Sequence, residues 1–328
     1  MIRAYILNNQ TLTPKILEAN SPIPENTLWI DIEEPTEDEH DWMQHLFKEE
    51  VPEEDDIDEI ESSSRYYTDT DGIHITCLFT RRKCRDTEAT NVQFTLHGNM
   101  LITFRESDVS IIRILRHYLK HDILEEPLRT NIDIFLEIQN ILIDSLSDDI
   151  EDSYTTLEQS SDNILSDEDG KIKELLEVLK FQENTISQIR QNLFDARNAV
   201  RYLRKSTFNR LNPNQIATID RVLNDIESIL PHTQFIFDKI NFQLQTAMSY
   251  TNHTQNKIIK IFSVAAVVFM PPTLIASVYG MNFKFMPELE WIWQVGDVSL
   301  PLGYIFAIGL MILASGMTIW YFRYKKWL

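Results

Sequence analysis

Residues 261–283 read "IFSVAAVVFMPPTLIASVYGMNF". The first nineteen, Ile261 to Tyr279, carry no charge. At about 1.5 Å rise per residue a helix of that length spans roughly 28 Å, close to one bilayer core. A second uncharged run, "VSLPLGYIFAIGLMILASGMTIWYF" from Val298 to Phe322, is also long enough. It ends with Trp320 and Tyr321, where an interfacial aromatic belt would lie. Two such runs so close together predict two membrane spans near the C-terminus rather than one buried core helix.

The flanks orient these spans. Lys257 and Lys260 precede the first; Arg323, Lys325 and Lys326 follow the second. The connecting segment sets Lys284 against Glu288, Glu290 and Asp297. Positive charge is retained on the cytoplasmic side, so both termini are expected inside and the loop outside. The first span is odd for an anchor. Pro271 and Pro272 withhold two backbone donors, which lipid does not forgive unless protein or water meets the freed carbonyls. Asn256, Ser263, Thr273 and Asn282 suit a helix with a wet side. The second span is almost wholly apolar. The first helix is therefore expected to line an aqueous path and the second to shield it.

The 328 residues carry a net charge of -20. From Lys257 onward there are six basic and three acidic residues, against 24 basic and 47 acidic before it. An acidic body repels nucleic acid and attracts cations. The stretch Asp148–Asp169 alone holds nine acids and no base. Cys77 and Cys84 form no CxxC, so neither a disulfide framework nor a zinc site is expected. The start, "MIRAYILNNQ", lacks an apolar core for a signal peptide, so the N-terminal part is expected in the cytoplasm. His117 and His121 stand four apart on a helix-like stretch, but no third ligand is evident nearby. Phosphate-loop, HExxH and GxSxG motifs are missing, so no ATP engine, hydrolase or other enzyme is expected.

Residues 1–127 read as a mixed α/β domain. Strand-like runs are Arg3–Leu7, Leu28–Ile32, Gly72–Thr80, Asn91–Leu96 and Met100–Phe104, the last two joined by "HGN" in a hairpin. "PTEDEHDWMQHLF" and "SIIRILRHYLKH" read as helices. Residues 128–256 are long-helix material: Ile132–Asn256 contains only Gly170, Pro213 and Pro231 as breakers. Apolar residues recur three and four apart, as in Ile216, Ile219, Leu223, Ile226 and Leu230. Gly170 and "NPNQ" at Asn212 mark turns, which gives three long helices. The last is expected to run past Pro231 straight into the first span. The remaining divisions are 257–279 for the first span, 280–297 for the outer loop, 298–322 for the second span and 323–328 for a basic tail.

The end of the chain resembles CorA-type magnesium transport proteins. The resemblance rests on Tyr279-Gly280-Met281-Asn282-Phe283 at the outer end of the first span, Met286-Pro287-Glu288-Leu289 in the loop, and Lys325-Lys326-Trp327-Leu328. It implies an α+β membrane protein: a cytoplasmic α/β domain, long stalk helices and two C-terminal transmembrane helices, assembled as a funnel-shaped homopentamer in the inner or plasma membrane. Mg²⁺ is then the substrate and a regulatory ligand, with Co²⁺ and Ni²⁺ as candidate passengers and no other cofactor. With no ATP engine, transport would run on the ion's own gradient and the membrane potential. A divalent cation entering a negative-inside cell gains about 4.6 kcal/mol per 100 mV.

By residue, the resemblance assigns the selectivity filter to Gly280, Met281 and Asn282, supported by Tyr279 and Phe283. Mg²⁺ sheds water reluctantly, so a ring of neutral oxygens can hold it hydrated. Polar pore rings fall on Asn256 and Thr273, and an apolar constriction that gates by dewetting on Ile259, Phe262 and Met270. Glu288 and Glu290 would gather cations outside. Asp225 and Glu227 are the candidate ligands for a regulatory ion. Gln245 stands where some members carry an acid. Two other readings stay open: a zinc transporter of the ZntB type, where the motif usually has Val in place of Met281, and a non-conducting membrane-anchored sensor or scaffold.

Overall fold

A computed structural model describes residues 1–8, 11–47, 62–70, 72–83, 86–124, 126–163, 169–282, 284, 286–287, 292–295 and 298–325. The chain divides into two compact units, Met1–Gln245 and Thr246–Leu328.

The first unit begins with β1 (Ile2–Asn8), β2 (Thr11–Leu17), β3 (Thr27–Glu33) and α1 (Glu37–Phe47). After α2 (Ser62–Arg65) come β4 (Tyr66–Thr68), β5 (Ile73–Lys83), β6 (Asp86–His97), β7 (Met100–Arg105) and α3 (Ser110–His121). The strands form one seven-stranded sheet in the order β2-β1-β3-β7-β6-β5-β4. Only β3 and β7 pair in parallel; their neighbours are antiparallel. The "HGN" stretch makes the expected hairpin, with His97 opposite Met100. Gly98 sits there at φ +58°, a left-handed conformation that suits glycine.

Two strands of this sheet escaped the sequence reading. β2 contains Pro14, which cannot donate to a ladder, and the structure puts this strand at the sheet edge, where no donor is needed. β4 is only three residues long.

One face of the sheet packs Ile2, Ala4, Ile30, Ile32 and Ile102 under Trp42 of α1. The other face holds a buried polar net. Trp29 Nε1 donates to Thr103 Oγ1 at 3.1 Å, and Thr103 donates to Asp31 Oδ1 at 2.8 Å. Arg105 meets Asp31 at 3.2 Å and Glu33 at 3.0 Å, and Arg116 of α3 bonds both carboxylates. Arg3 closes the net on Glu33 at 2.6 Å. Burial alone would raise the Glu33 carboxyl, but the Arg3 hydrogen bond and the Arg105 and Arg116 charges outweigh it and hold it down at about 2.

Three long helices follow: α4 (Asn131–Asn163), α5 (Asp169–Ser206) and α6 (Pro213–Tyr279). Their starts are written in side chains. Thr130 and Asp133 cap α4 reciprocally, each accepting from the other's backbone N–H at 2.9 and 3.2 Å. Asn212 and Gln215 do the same for α6 at 3.1 and 2.9 Å, with Pro213 at the first helical position. Gln215 Nε2 also reaches Asp133 Oδ1 at 2.7 Å, tying the two helix starts together. Cross-links along the bundle, Tyr154 to His232 and Ser160 to Gln243 in one direction, Arg204 to Asp220 and Arg190 to Gln234 in the other, make α4 and α6 parallel and α5 antiparallel to both.

α5 docks on the sheet through Asp195. Its carboxylate accepts from Tyr66 Oη and from the Leu78 N–H, both at 2.6 Å, and faces Arg65 at 3.2 Å. Burial raises this carboxyl despite the Arg65 charge.

The second unit contains the rest of α6, the hairpin β8 (Ile292–Val295) with β9 (Val298–Pro301), and α7 (Leu302–Tyr324). The second apolar helix thus starts at Leu302 rather than Val298. Val298–Pro301 is paired with β8, and the helix begins directly after Pro301.

Candidate functional site

The functional positions expected from the sequence lie on or just beyond α6. In the first unit this helix buries one face in seven-residue steps: Ile219, Ile226, Thr233 and Ile240, with Val222, Ile236 and Gln243 beside them. Gln243 satisfies its buried amide on the Leu157 carbonyl at 2.8 Å. The helix passes Pro231 without interruption, and also Pro271-Pro272. Two prolines in sequence leave the carbonyls of Val267 and Val268 without their helical donors. Thr273 adds its hydroxyl to the Phe269 carbonyl at 2.7 Å. This is the polar wound in the apolar helix that the sequence implied.

α6 and α7 each contain a window long and apolar enough to cross a bilayer. None of the α6 window and 11 % of the α7 window is buried, so neither is the core helix of a soluble domain. Asn256, Ile259, Phe262, Met270 and Thr273 are all exposed along α6. So are Gly280, Met281 and Asn282, while Tyr279 is half-buried. The Gly280 N–H closes the last helical bond on Ala276 O at 2.9 Å. A Cβ there would sit 3.1 Å from that same oxygen, crowding the turn. Met281 N–H then bonds Val278 O at 3.3 Å, a tightened final turn after which Asn282 leaves the helix. Phe283, Glu288 and Glu290 lie outside the described residues.

Asp225 and Glu227 are not brought together. Glu227 faces α5, 3.3 Å from both Arg197 and Arg201. Asp225 faces α4, where burial and the charges of Asp225 and Asp148 raise the Asp144 carboxyl. Asp144 was missed by sequence reasoning, and Asp148 was read only as the start of the acidic run; their spacing of four, on a helix parallel to α6, is the signal that could have joined them. His117 and His121 do touch, with ring centroids 4.4 Å apart. Among the described residues, however, no three His, Cys, Asp or Glu side chains are placed to hold a metal.

The family model described as CorA-like Mg²⁺ transporter protein matches residues 24–326. "Magnesium transport protein CorA" of Mannheimia succiniciproducens is 36 % identical over 333 residues, covering all of both chains. Its namesake in Escherichia coli (strain K12) is 36 % identical over 330 residues, again covering all of both. Among solved structures, the CorA magnesium transporter from Methanocaldococcus jannaschii matches with TM-score 0.77 at 18 % identity, covering 100 % of this chain and 99 % of that one. The cytoplasmic domain of ZntB from Vibrio parahaemolyticus matches with TM-score 0.55 at 14 % identity over 78 % of this chain and 98 % of that one. At these identities the structures speak for the fold alone. The family match and the full-length relatives decide the identity: this chain belongs to the CorA-like Mg²⁺ transporter family.

Proposed function

We propose that this protein is one subunit of a homopentameric Mg²⁺ channel in the inner membrane. It spans the bilayer twice, with both termini in the cytoplasm and residues 280–297 outside. The observation that carries this reading is the exposure of Asn256 and Thr273 on an apolar helix and of Asn282 just past its end. A membrane anchor gains nothing from Asn256, Thr273 and Asn282, whereas a water-filled axis shared by several copies needs them. Around that axis Asn282 and the Gly280 carbonyl act as the filter, with Met281, Tyr279 and Phe283 fixing the loop. Ile259, Phe262 and Met270 form the apolar constriction, and Asn256 and Thr273 the polar rings. Glu288 and Glu290 concentrate cations at the mouth. Co²⁺ and Ni²⁺ share the octahedral preference closely enough to pass.

Cytoplasmic Mg²⁺ closes the channel in this reading, and the α4–α6 carboxylates Asp144, Asp148 and Asp225 are where it acts. Mg²⁺ retains several waters in protein sites, so it can bridge carboxylates that do not converge tightly in one chain. Glu227, already held by two arginines, is the poorer ligand. The zinc alternative has less support: full-length relatives at 36 % identity carry the magnesium name, and the likeness to ZntB is one of fold.

Purified protein in liposomes should admit Mg²⁺ in preference to Zn²⁺ and should weigh five chains by native mass spectrometry. Zn²⁺ preference would favour the ZntB reading. Absence of flux from an intact oligomer would favour the non-conducting scaffold.

A further inference from the structure

From Ala196 to Ile219 the sequence carries five basic residues and no acid, in a chain of net charge -20. The stretch covers the end of α5, the turn after it and the start of α6. Three of the bases, Arg201, Arg204 and Lys205, stand at the spacing that puts side chains on one helix face. Phe208 follows just past Ser206, the last residue of α5. The turn there is fixed. The Thr207 N–H and hydroxyl both reach the Leu203 carbonyl, at 2.9 and 2.7 Å, and the Arg210 N–H reaches the Thr207 carbonyl at 2.7 Å. Thr207 is buried, whereas Phe208 is 69 % exposed, more than any other large apolar side chain described in the first unit.

Arg201, Arg204, Lys205 and Phe208 line a groove of about 720 Å³, completed by Asn209 and by Leu223 of α6. Arg201 pairs with Glu227 at 3.3 Å and Arg204 with Asp220 at 2.8 Å, both at the surface where water screens them. Lys205 has no ion-pair partner among the described residues. Cations in a last helical turn offset the helix dipole, which accounts for Arg204 and Lys205 by themselves. It does not account for a phenylalanine held out into water in the same groove.

We infer that this groove binds a nucleoside polyphosphate, with the phosphates on Arg201, Arg204 and Lys205 and the base on the face of Phe208. Guanidinium forks match phosphate oxygens in pairs, and a polyphosphate offers more charge than the single carboxylate each arginine now meets. Every base has a flat π-face, so an exposed aromatic ring takes it without reading its identity. Leu223 adds an apolar wall, and the Asn209 amide supplies a donor and an acceptor for a base edge or a ribose hydroxyl. The volume lies within the range of small-molecule sites. A long polyanion, such as a nucleic acid or an acidic peptide, fits worse, because beyond the groove it would meet the surplus of acids on the rest of the chain. A compact anion meets the basic stretch alone. The proposed topology is needed only to put this surface in the cytoplasm, where nucleotides are; binding itself does not depend on conduction.

The test is calorimetric titration of ATP into the full-length protein in detergent micelles, with EDTA present to keep divalent ions off the carboxylates. ATP should bind saturably. Lys205→Glu should weaken it about tenfold by reversing a charge that meets the phosphates. Phe208→Ala should weaken ATP about tenfold and leave sodium tripolyphosphate unchanged, since only ATP has a base to stack. Both side chains are exposed, so neither change threatens the fold, and an unaltered thermal melt checks this. Absence of saturable ATP binding, ATP binding that ignores either substitution, or tripolyphosphate bound as tightly as ATP overturns the site; the last marks an unspecific anion patch. A polyglutamate peptide that binds more tightly than ATP also overturns it, in favour of a protein partner. Liposomes that conduct no Mg²⁺ would overturn the channel reading and leave the ATP result as it stands.

Discussion

Two carboxylates in the first unit show how one residue type takes opposite roles. Asp195 is buried against Tyr66, the Leu78 N–H and Arg65, and its folded pKa is raised because burial dominates. A raised carboxyl is best tolerated below its ordinary range and contributes less as pH rises through its folded value. The neutral isostere Asn keeps an oxygen for the Leu78 N–H, whereas Ala strands Arg65 and the buried amide. Asp195→Ala should therefore cost about 3 kcal/mol in urea unfolding at neutral pH, and Asp195→Asn markedly less. Glu33 is the reverse case, held down from 4.5 to about 2 by Arg3, Arg105 and Arg116. Its contribution is present above pH 4.5 and is lost as pH falls toward 2. A Glu33→Gln variant should show a flatter acid limb in a plot of Tm against pH over that window.

At the scale of elements, α6 decides most of the architecture. Its start was legible because "NPNQ" supplies a cap, a proline and a reciprocal glutamine in four residues. Its passage through Pro231 and Pro271-Pro272 was legible because nothing else in the stretch favours a turn. The second apolar helix was read four residues too early, since Val298–Pro301 is as apolar as a helix start and only its pairing with β8 reveals a strand. β2 was hidden by its proline and its polar exposure, both of which are compatible with an edge strand but equally with a loop. The acid pair on α4 was hidden for another reason: Asp144 and Asp148 become notable only when a parallel helix sets Asp225 beside them. Burial and the charges of Asp225 and Asp148 weigh against the Asp144 carboxylate. Asp225→Asn should raise Tm in EDTA and shrink the Tm gain that millimolar Mg²⁺ gives the parent. An unchanged Mg²⁺ response would remove Asp225 from the regulatory account.

For the whole molecule, the sequence carried the site further than the single chain can. The Gly280-Met281-Asn282 triplet, the polar positions of α6 and the charge asymmetry between the acidic body and the basic flanks of the apolar runs are all visible in residue order. What residue order does not state is why Asn256, Met270 and Asn282 should all be exposed; the proposed assembly would give the reason, because further copies of the same chain would cover them. The central claim is that uncharged oxygens at the outer mouth hold a divalent ion with its water shell intact. Mg²⁺ influx into proteoliposomes, measured with and without hexaamminecobalt as a rigid mimic of the hydrated ion, tests it most directly. The account predicts that the parent conducts and is blocked by the mimic, and that Asn282→Ala abolishes influx while the oligomer stays intact. Influx that survives in Asn282→Ala, or that ignores the mimic, would contradict it.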